Sequence, residues 1–187
     1  MVHPERSLRR LTFFRMNTSS PNESADQTLS RFLNAEQLEI FKKITTDYFA
    51  KLASSEAPPE IGEAFVQFES PVLLDYTSAV RISGSYTGTI YVTAPSVMID
   101  HLLVLHQEAE INNNTRADMC REFSNVLSGN ASHAFGSQWA ISVPQSIWPG
   151  NPSDLLLPPS TFVMPLVWRK TQSYLVVGLH AIAQPVI

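Results

Sequence analysis

The stretch Thr115–Gly136, TRADMCREFSNVLSGNASHAFG, decides how this chain is read. Its spacing predicts a single amphipathic helix. Thr115 followed three residues later by Asp118 has the form of a capping box at the N-terminus. Met119, Phe123, Val126 and Leu127 fall at i, i+4, i+7 and i+8, which is one face. At about 100° per residue, Asp118, Glu122, Asn125 and Gly129 collapse onto a narrow stripe about 120° from that face. Residues three apart on a helix are neighbours, so the Glu122 carboxylate and the Asn125 amide can reach one partner together. Gly129 extends the stripe without a side chain. A glycine inside a helix costs about 1 kcal/mol against alanine, and close approach by another backbone is one reason to keep it. Asn130 turns toward the apolar side and is expected to be structural, bonded to a neighbouring strand or loop.

The elements around this helix set the fold class. Upstream, Asn34 caps a helix with Gln37 in the reciprocal position, and Leu38, Phe41, Ile44, Tyr48 and Leu52 form its buried stripe. Pro58-Pro59 cannot continue it. From Gly62 the period falls to two: Ala64, Val66 and Phe68 alternate with polar residues. A second strand is expected from Val72 to Ser83, a turn or bulged hairpin over 84–88, and a return through Thr89–Thr93. Pro95 opens a further helix with Val97, Met98, Leu102 and Leu105 inward. Asn112-Asn113-Asn114 then leads into the central helix. Beyond it, Trp139–Val143 begins a strand that meets Pro144, a loop follows at 148–152, and Phe162–Trp168 and Ser173–Ala183 are strongly β. Pro165 within the first of these argues for an edge or a bulge. Hairpin-connected strands with helices on one face predict an α+β fold, a largely antiparallel sheet of about six strands.

Length and charge bound the function. The chain of 187 residues carries 13 Lys+Arg against 17 Asp+Glu. Residues 1–33 hold five Arg and three acids, leaving eight basic and fourteen acidic residues in 34–187. We therefore expect a domain over 34–187, acidic and unsuited to nucleic acid. Residues 1–33 are expected to be an extension, either flexible or a short docking helix. No apolar run approaches the roughly 18 residues of a membrane span, and the apolar run after the N-terminal arginines is too short for a signal peptide. Cys120 has no second cysteine to pair with. These features lead to a cytoplasmic expectation. No P-loop, dinucleotide fingerprint or nucleophile elbow is present. The five histidines show no ligand spacing with Cys120 or a carboxylate, so no metal of its own is expected. Cys120 sits near the apolar face and reads as a buried small residue. An enzyme built from this chain would work with an amide and a carboxylate.

At that point the residues resemble a family. Asp118-x-x-x-Glu122-x-x-Asn125, then Leu127-Ser128-Gly129-Asn130, then Pro144 after an Ile-Ser-Val strand, is similar to the CheC/CheX/FliY phosphatases of bacterial chemotaxis, most of all to CheX. The upstream TSAVRISGSYTGTIYVTAPSVMIDHL is also similar to the CheX strand–turn–strand–helix. The resemblance covers about residues 60–184, and a single E-x-x-N favours CheX over the two-site CheC pattern. It implies a CheC-like fold and hydrolysis of the aspartyl phosphate on a phosphorylated response-regulator receiver domain such as CheY. The receiver would supply the Mg²⁺, and the chain would need no cofactor of its own. Asn125 would orient the attacking water, its amide offering donor and acceptor without charge. Glu122 would dock on the receiver's lysine; general base to the water is its rival role. Asp118 would support the partner or the helix dipole, Gly129 would admit the receiver's loop, and Arg121 would touch the partner. Pro144 would be structural, with Asn130. Members resembling CheX form dimers through sheet edges, so a homodimer is expected. A non-catalytic adaptor or scaffold of the same fold is the alternative function, and a small-molecule-binding module a third.

Overall fold

A computed structural model describes residues 33–52, 57–67, 71–136, 139–147, 155, 157–158 and 161–182. Residues 1–32, including almost all of the expected extension, lie outside the described residues, as do Phe68 and most of the loop after Ile147. The elements run α1 (Ala35–Leu52), β1 (Glu60–Ile61), β2 (Phe65–Gln67), β3 (Tyr76–Gly84), β4 (Tyr86–Ala94), α2 (Ser96–Leu105), α3 (Asn113–Phe135), β5 (Trp139–Ile141), β6 (Gln145–Ser146), β7 (Thr161–Trp168) and β8 (Thr171–Ala181). The strands join one antiparallel sheet in the order β1-β7-β8-β4-β3-β5, with β2 also on β7 and β6 also on β3. The α+β architecture is as expected. The described strands number eight because both edges are split into short pieces, and short edge strands offer little template for stray pairing.

One face of the sheet carries the three described helices. Val80 and Ile82 of β3, Ile90 and Val92 of β4, and Leu175, Val177 and Leu179 of β8 meet Phe41, Phe49, Met98, Leu102, Phe123 and Leu127 in the main core. Alternate residues, Ala79, Tyr91, Val163 and Val176, point the other way and join Ile147 and Leu155 in a smaller cluster. This is the period of two acting on a sheet covered on both sides.

The sequence expectations needed several corrections. The central helix begins before Thr115: Asn112 is the N-cap, accepting from Asn114 N and Thr115 N, and Thr115 Oγ1 accepts from Asn112 N in return. An Asn three residues ahead of a Thr makes the same reciprocal pair as a capping box, which releases Asp118 to the surface. The return strand starts at Tyr86, not Thr89, leaving Ser85 alone between β3 and β4. Gly88 lies inside that strand at φ +142, with the space for a Cβ only 2.0 Å from Gly178 O on β8; only glycine fits there. The strand expected from Val72 starts at Tyr76, where Asp75 turns aside to accept from Ser96 N at the start of α2. Val97 is exposed rather than inward, whereas Met98 and Leu102 are buried. The expected strand over 139–143 ends at Ile141 and resumes as β6 past Pro144. The β7–β8 turn is only Arg169-Lys170, both at positive φ, the geometry of a two-residue hairpin. Pro165 faces the gap between β1 and β2, and its carbonyl accepts from Gly62 N, so it removes no ladder donor.

The Asn34–Gln37 reciprocal cap forms as read, at 2.9 Å in each direction. Leu33, assigned to the extension by sequence, is buried in the core. It sits just before the N-cap, where it and Leu38 occupy the two positions of a hydrophobic staple.

Candidate functional site

Helix α3 is held firmly where it faces its own protein. Met119, Cys120, Phe123, Leu127 and Ala131 are buried. Ser124 and Ser128 lie on the same side, fully buried, and their small size brings the helix close to β3. Ser124 Oγ and Ser78 Oγ share a hydrogen bond of 2.8 Å, and Ser124 also donates to Arg121 O at 2.9 Å. Phe123 stacks on Tyr48 at 4.7 Å and meets Phe49 edge-on at 5.6 Å, so α1 grips the same turn. At the first turn, Arg116 donates to both oxygens of Asp100, at 2.6 and 3.1 Å, tying α3 to α2. The Cys120 thiol is buried against Val92, and burial pushes its pKa up to about 12. It is no nucleophile.

The opposite side of α3 is open. Asp118, Arg121, Glu122 and Asn125 line a hollow of about 630 Å³, whose second wall is Val143 and Pro144 from the segment between β5 and β6. Arg121 spans the two walls: it is ion-paired to Asp118 and donates to Ser146 Oγ at 3.1 Å. The charge on Asp118 is thereby answered within the chain. Glu122 and Asn125 are different. Both are exposed, and their side chains have no hydrogen-bond or ion-pair partner among the described residues. Together they present an uncommitted carboxylate and amide on one surface.

Five of the residues singled out by sequence, Asp118, Arg121, Glu122, Asn125 and Pro144, therefore meet in one hollow. Gly129 continues the stripe one turn beyond Asn125 but does not line the hollow. A Cβ built on it would touch nothing within 4 Å. Asn130 departs from expectation. It is exposed, and lines a second hollow of about 270 Å³ with Tyr48, Lys51, Leu52, His106 and Val126. Val126 is only half-buried, so the apolar face ends before it reaches Asn130. Val143, 81% exposed, was missed. Its signal was an apolar residue placed just before a proline, where a strand has to stop. Ser146 was missed for want of any local cue. Among the described residues no group of three or more His, Cys, Asp or Glu could hold a metal ion. No helix there is long and apolar enough to cross a membrane.

Comparison with known proteins agrees with this fold. Residues 76–152 match the family described as chemotaxis phosphatase CheX. No curated protein sequence matches the chain. Among solved structures, the chemotaxis protein CheX of Desulfovibrio desulfuricans superposes with a TM-score of 0.64 at 19% identity, over 77% of this chain and 99% of that one. A CheC-like superfamily protein of Shewanella sp. PV-4 gives 0.64 at 14% identity, over 81% and 100%. The CheX of the CheX–CheY–BeF3–Mg complex from Borrelia burgdorferi gives 0.59 at 17% identity, over 81% and 100%. The chain thus has the CheC-like fold of the CheX and CheC chemotaxis proteins, and the segment carrying its open hollow matches the CheX family.

Proposed function

We propose that this protein accelerates hydrolysis of the aspartyl phosphate on a CheY-like response-regulator receiver, with Asn125 and Glu122 entering the receiver's active site. The observation that supports this best is the pair itself: an amide and a carboxylate, exposed, adjacent and unpartnered, on a helix braced from behind. Phosphoryl transfer asks a protein mainly for positioning and charge stabilisation. Asn125 is suited to hold a water in line, its amide oxygen accepting a hydrogen bond from the water without setting a negative charge against the phosphoryl group. Glu122 is suited to a lysine on the receiver, a charge-assisted contact that strengthens as the interface excludes water. Asp118, paired with Arg121, fixes that arginine at the edge of the approach path. The Mg²⁺ would come with the receiver and neutralise phosphoryl charge there. That the Borrelia relative is seen in complex with CheY points to the same class of partner.

The test is turnover of a phosphorylated receiver with Mg²⁺ by the full-length chain. Asn125→Ala should remove the acceleration, by on the order of a hundredfold, with circular dichroism and Tm unchanged. Glu122→Ala should raise KM. Phosphate release that is as fast with Asn125→Ala as with the parent protein refutes its role; binding of the receiver with no acceleration at all favours an adaptor instead.

A further inference from the structure

Tyr48 comes from α1 and is 8% exposed. Its ring is fixed on two sides, stacked on Phe123 at 4.7 Å and edge-on to Phe49 at 5.3 Å. Its hydroxyl oxygen is buried and has no hydrogen-bond partner among the described residues. A buried hydroxyl in that state destabilises the fold, and phenylalanine would fill the same space without it. Packing therefore explains the ring but not the oxygen.

The position of the ring shows what the oxygen is near. Phe123, on which it stacks, is the residue after Glu122. Val126, which shares the second hollow with Tyr48, is one turn beyond Glu122 on the same row of α3. Glu122 thus stands on the crest of the helix between the two hollows, with Asn125 on one flank and Tyr48 on the other. Its carboxylate, like the phenol, is uncommitted, and its charge acts on the phenol. Burial is the larger influence and keeps that phenol protonated, so toward an anion it can only donate.

We propose that Tyr48 is a positioning residue for Glu122: when a partner covers the open hollow, Tyr48 Oη donates a hydrogen bond to the Glu122 carboxylate and holds it toward the cation it meets. A neutral donor suits the task, because it restrains the carboxylate without cancelling the charge the partner needs. This rests on the proposed receiver reading and adds a residue to it.

The test uses the full-length protein, Tyr48→Phe, Glu122→Ala and the double variant, with Tm and steady-state turnover of a phosphorylated receiver. Tyr48→Phe should leave Tm unchanged or higher, raise KM roughly tenfold and hold kcat within about twofold. It should add nothing in the Glu122→Ala background. Tyr48→Phe with parental KM while Glu122→Ala raises it, or an equal loss in both backgrounds, overturns the role of Tyr48 and leaves the receiver reading standing. A parent protein without any acceleration overturns the receiver reading. Because the pairing forms only under a partner that covers the hollow, that outcome overturns the role of Tyr48 as well.

Discussion

Gly129→Ala should stabilise the free protein. Gly129 lies inside α3, seven residues short of the C-cap at Gly136. Its φ is not among the positive values found at Gly84, Gly88 and Gly136, so alanine can adopt its conformation. A Cβ there meets nothing within 4 Å. No steric cost opposes the gain in helix propensity, which is about 0.8–1 kcal/mol. No burial adds to it either, because the new methyl group points into open space. For a chain of this size that gain corresponds to a Tm rise of about 2–4 °C. Urea unfolding should show a higher midpoint at unchanged m. A residue that the free protein would gain by replacing is kept for some other reason, and a surface that must admit a partner supplies one. Gly129→Leu extends the test. The open space should let the free protein accept leucine without loss, while a side chain one turn from Asn125 should obstruct a docking receiver and cut turnover. Loss of stability with Gly129→Ala would show that the chain needs the glycine for itself. Full turnover with Gly129→Leu would show that nothing approaches there.

Three further outcomes follow from the bracing of α3. Ser124→Ala should lower unfolding free energy by about 1–3 kcal/mol, because it leaves Ser78 Oγ buried without a partner; the Ser78→Ala/Ser124→Ala double variant should recover part of this in denaturant titration. Arg121→Ala should change stability by less than about 1 kcal/mol, since its ion pair with Asp118 is exposed. It should nevertheless raise KM for the receiver, because the tie to Ser146 across the hollow is lost; an unchanged KM would show that the tie does not set the hollow. Cys120 should resist thiol reagents at pH 8 until the protein unfolds. Its folded pKa of about 12 lies above the ordinary 9.0, so between those values the unfolded chain binds fewer protons and stability falls as pH rises. Cys120→Ala should flatten that alkaline limb in pH-dependent melts.

The sequence disclosed most where one periodicity governed a long element. The buried faces of α1 and α3 were legible because each places many residues under one rule, whereas β3, β4 and β8, buried along most of their length, were marked by their β-rich composition and the turns between them. The stripe of Asp118, Glu122 and Asn125 was legible for the same reason, being a statement about angles on a helix. What stayed hidden depended on residues distant in sequence. Ser124 meets Ser78, Arg121 meets Ser146 and Asp75 caps α2, and none of these has a local signature. The start of α3 was misjudged because Asn112–Thr115 and Thr115–Asp118 offer competing caps, and the choice went to the one whose side chains bond reciprocally. Asn130 was misplaced because its angle on the wheel lies near the apolar sector, while the neighbouring helices stop short of covering it. The second wall of the hollow arises from the break at Pro144, which the sequence showed as an interruption and only the fold turned into a surface.

The distribution of partnered and unpartnered groups along α3 is itself an argument. Arg116 is tied to Asp100, Ser124 to Ser78, Phe123 to Tyr48 and Phe49, and the N-terminus is closed by Asn112 and Thr115. Every one of these contacts faces the protein or fixes the register of the helix. Between them Glu122 and Asn125 are left to water, where a lone carboxylate and amide cost the free chain almost nothing. Their value changes once another surface excludes that water, because the same groups then act in a medium of lower dielectric from positions already fixed. A helix braced on its protein side, with a carboxylate and an amide left open together beside a hollow, is organised for a second molecule to complete, and the proposed receiver is one whose chemistry would use an amide and an acid held in that way.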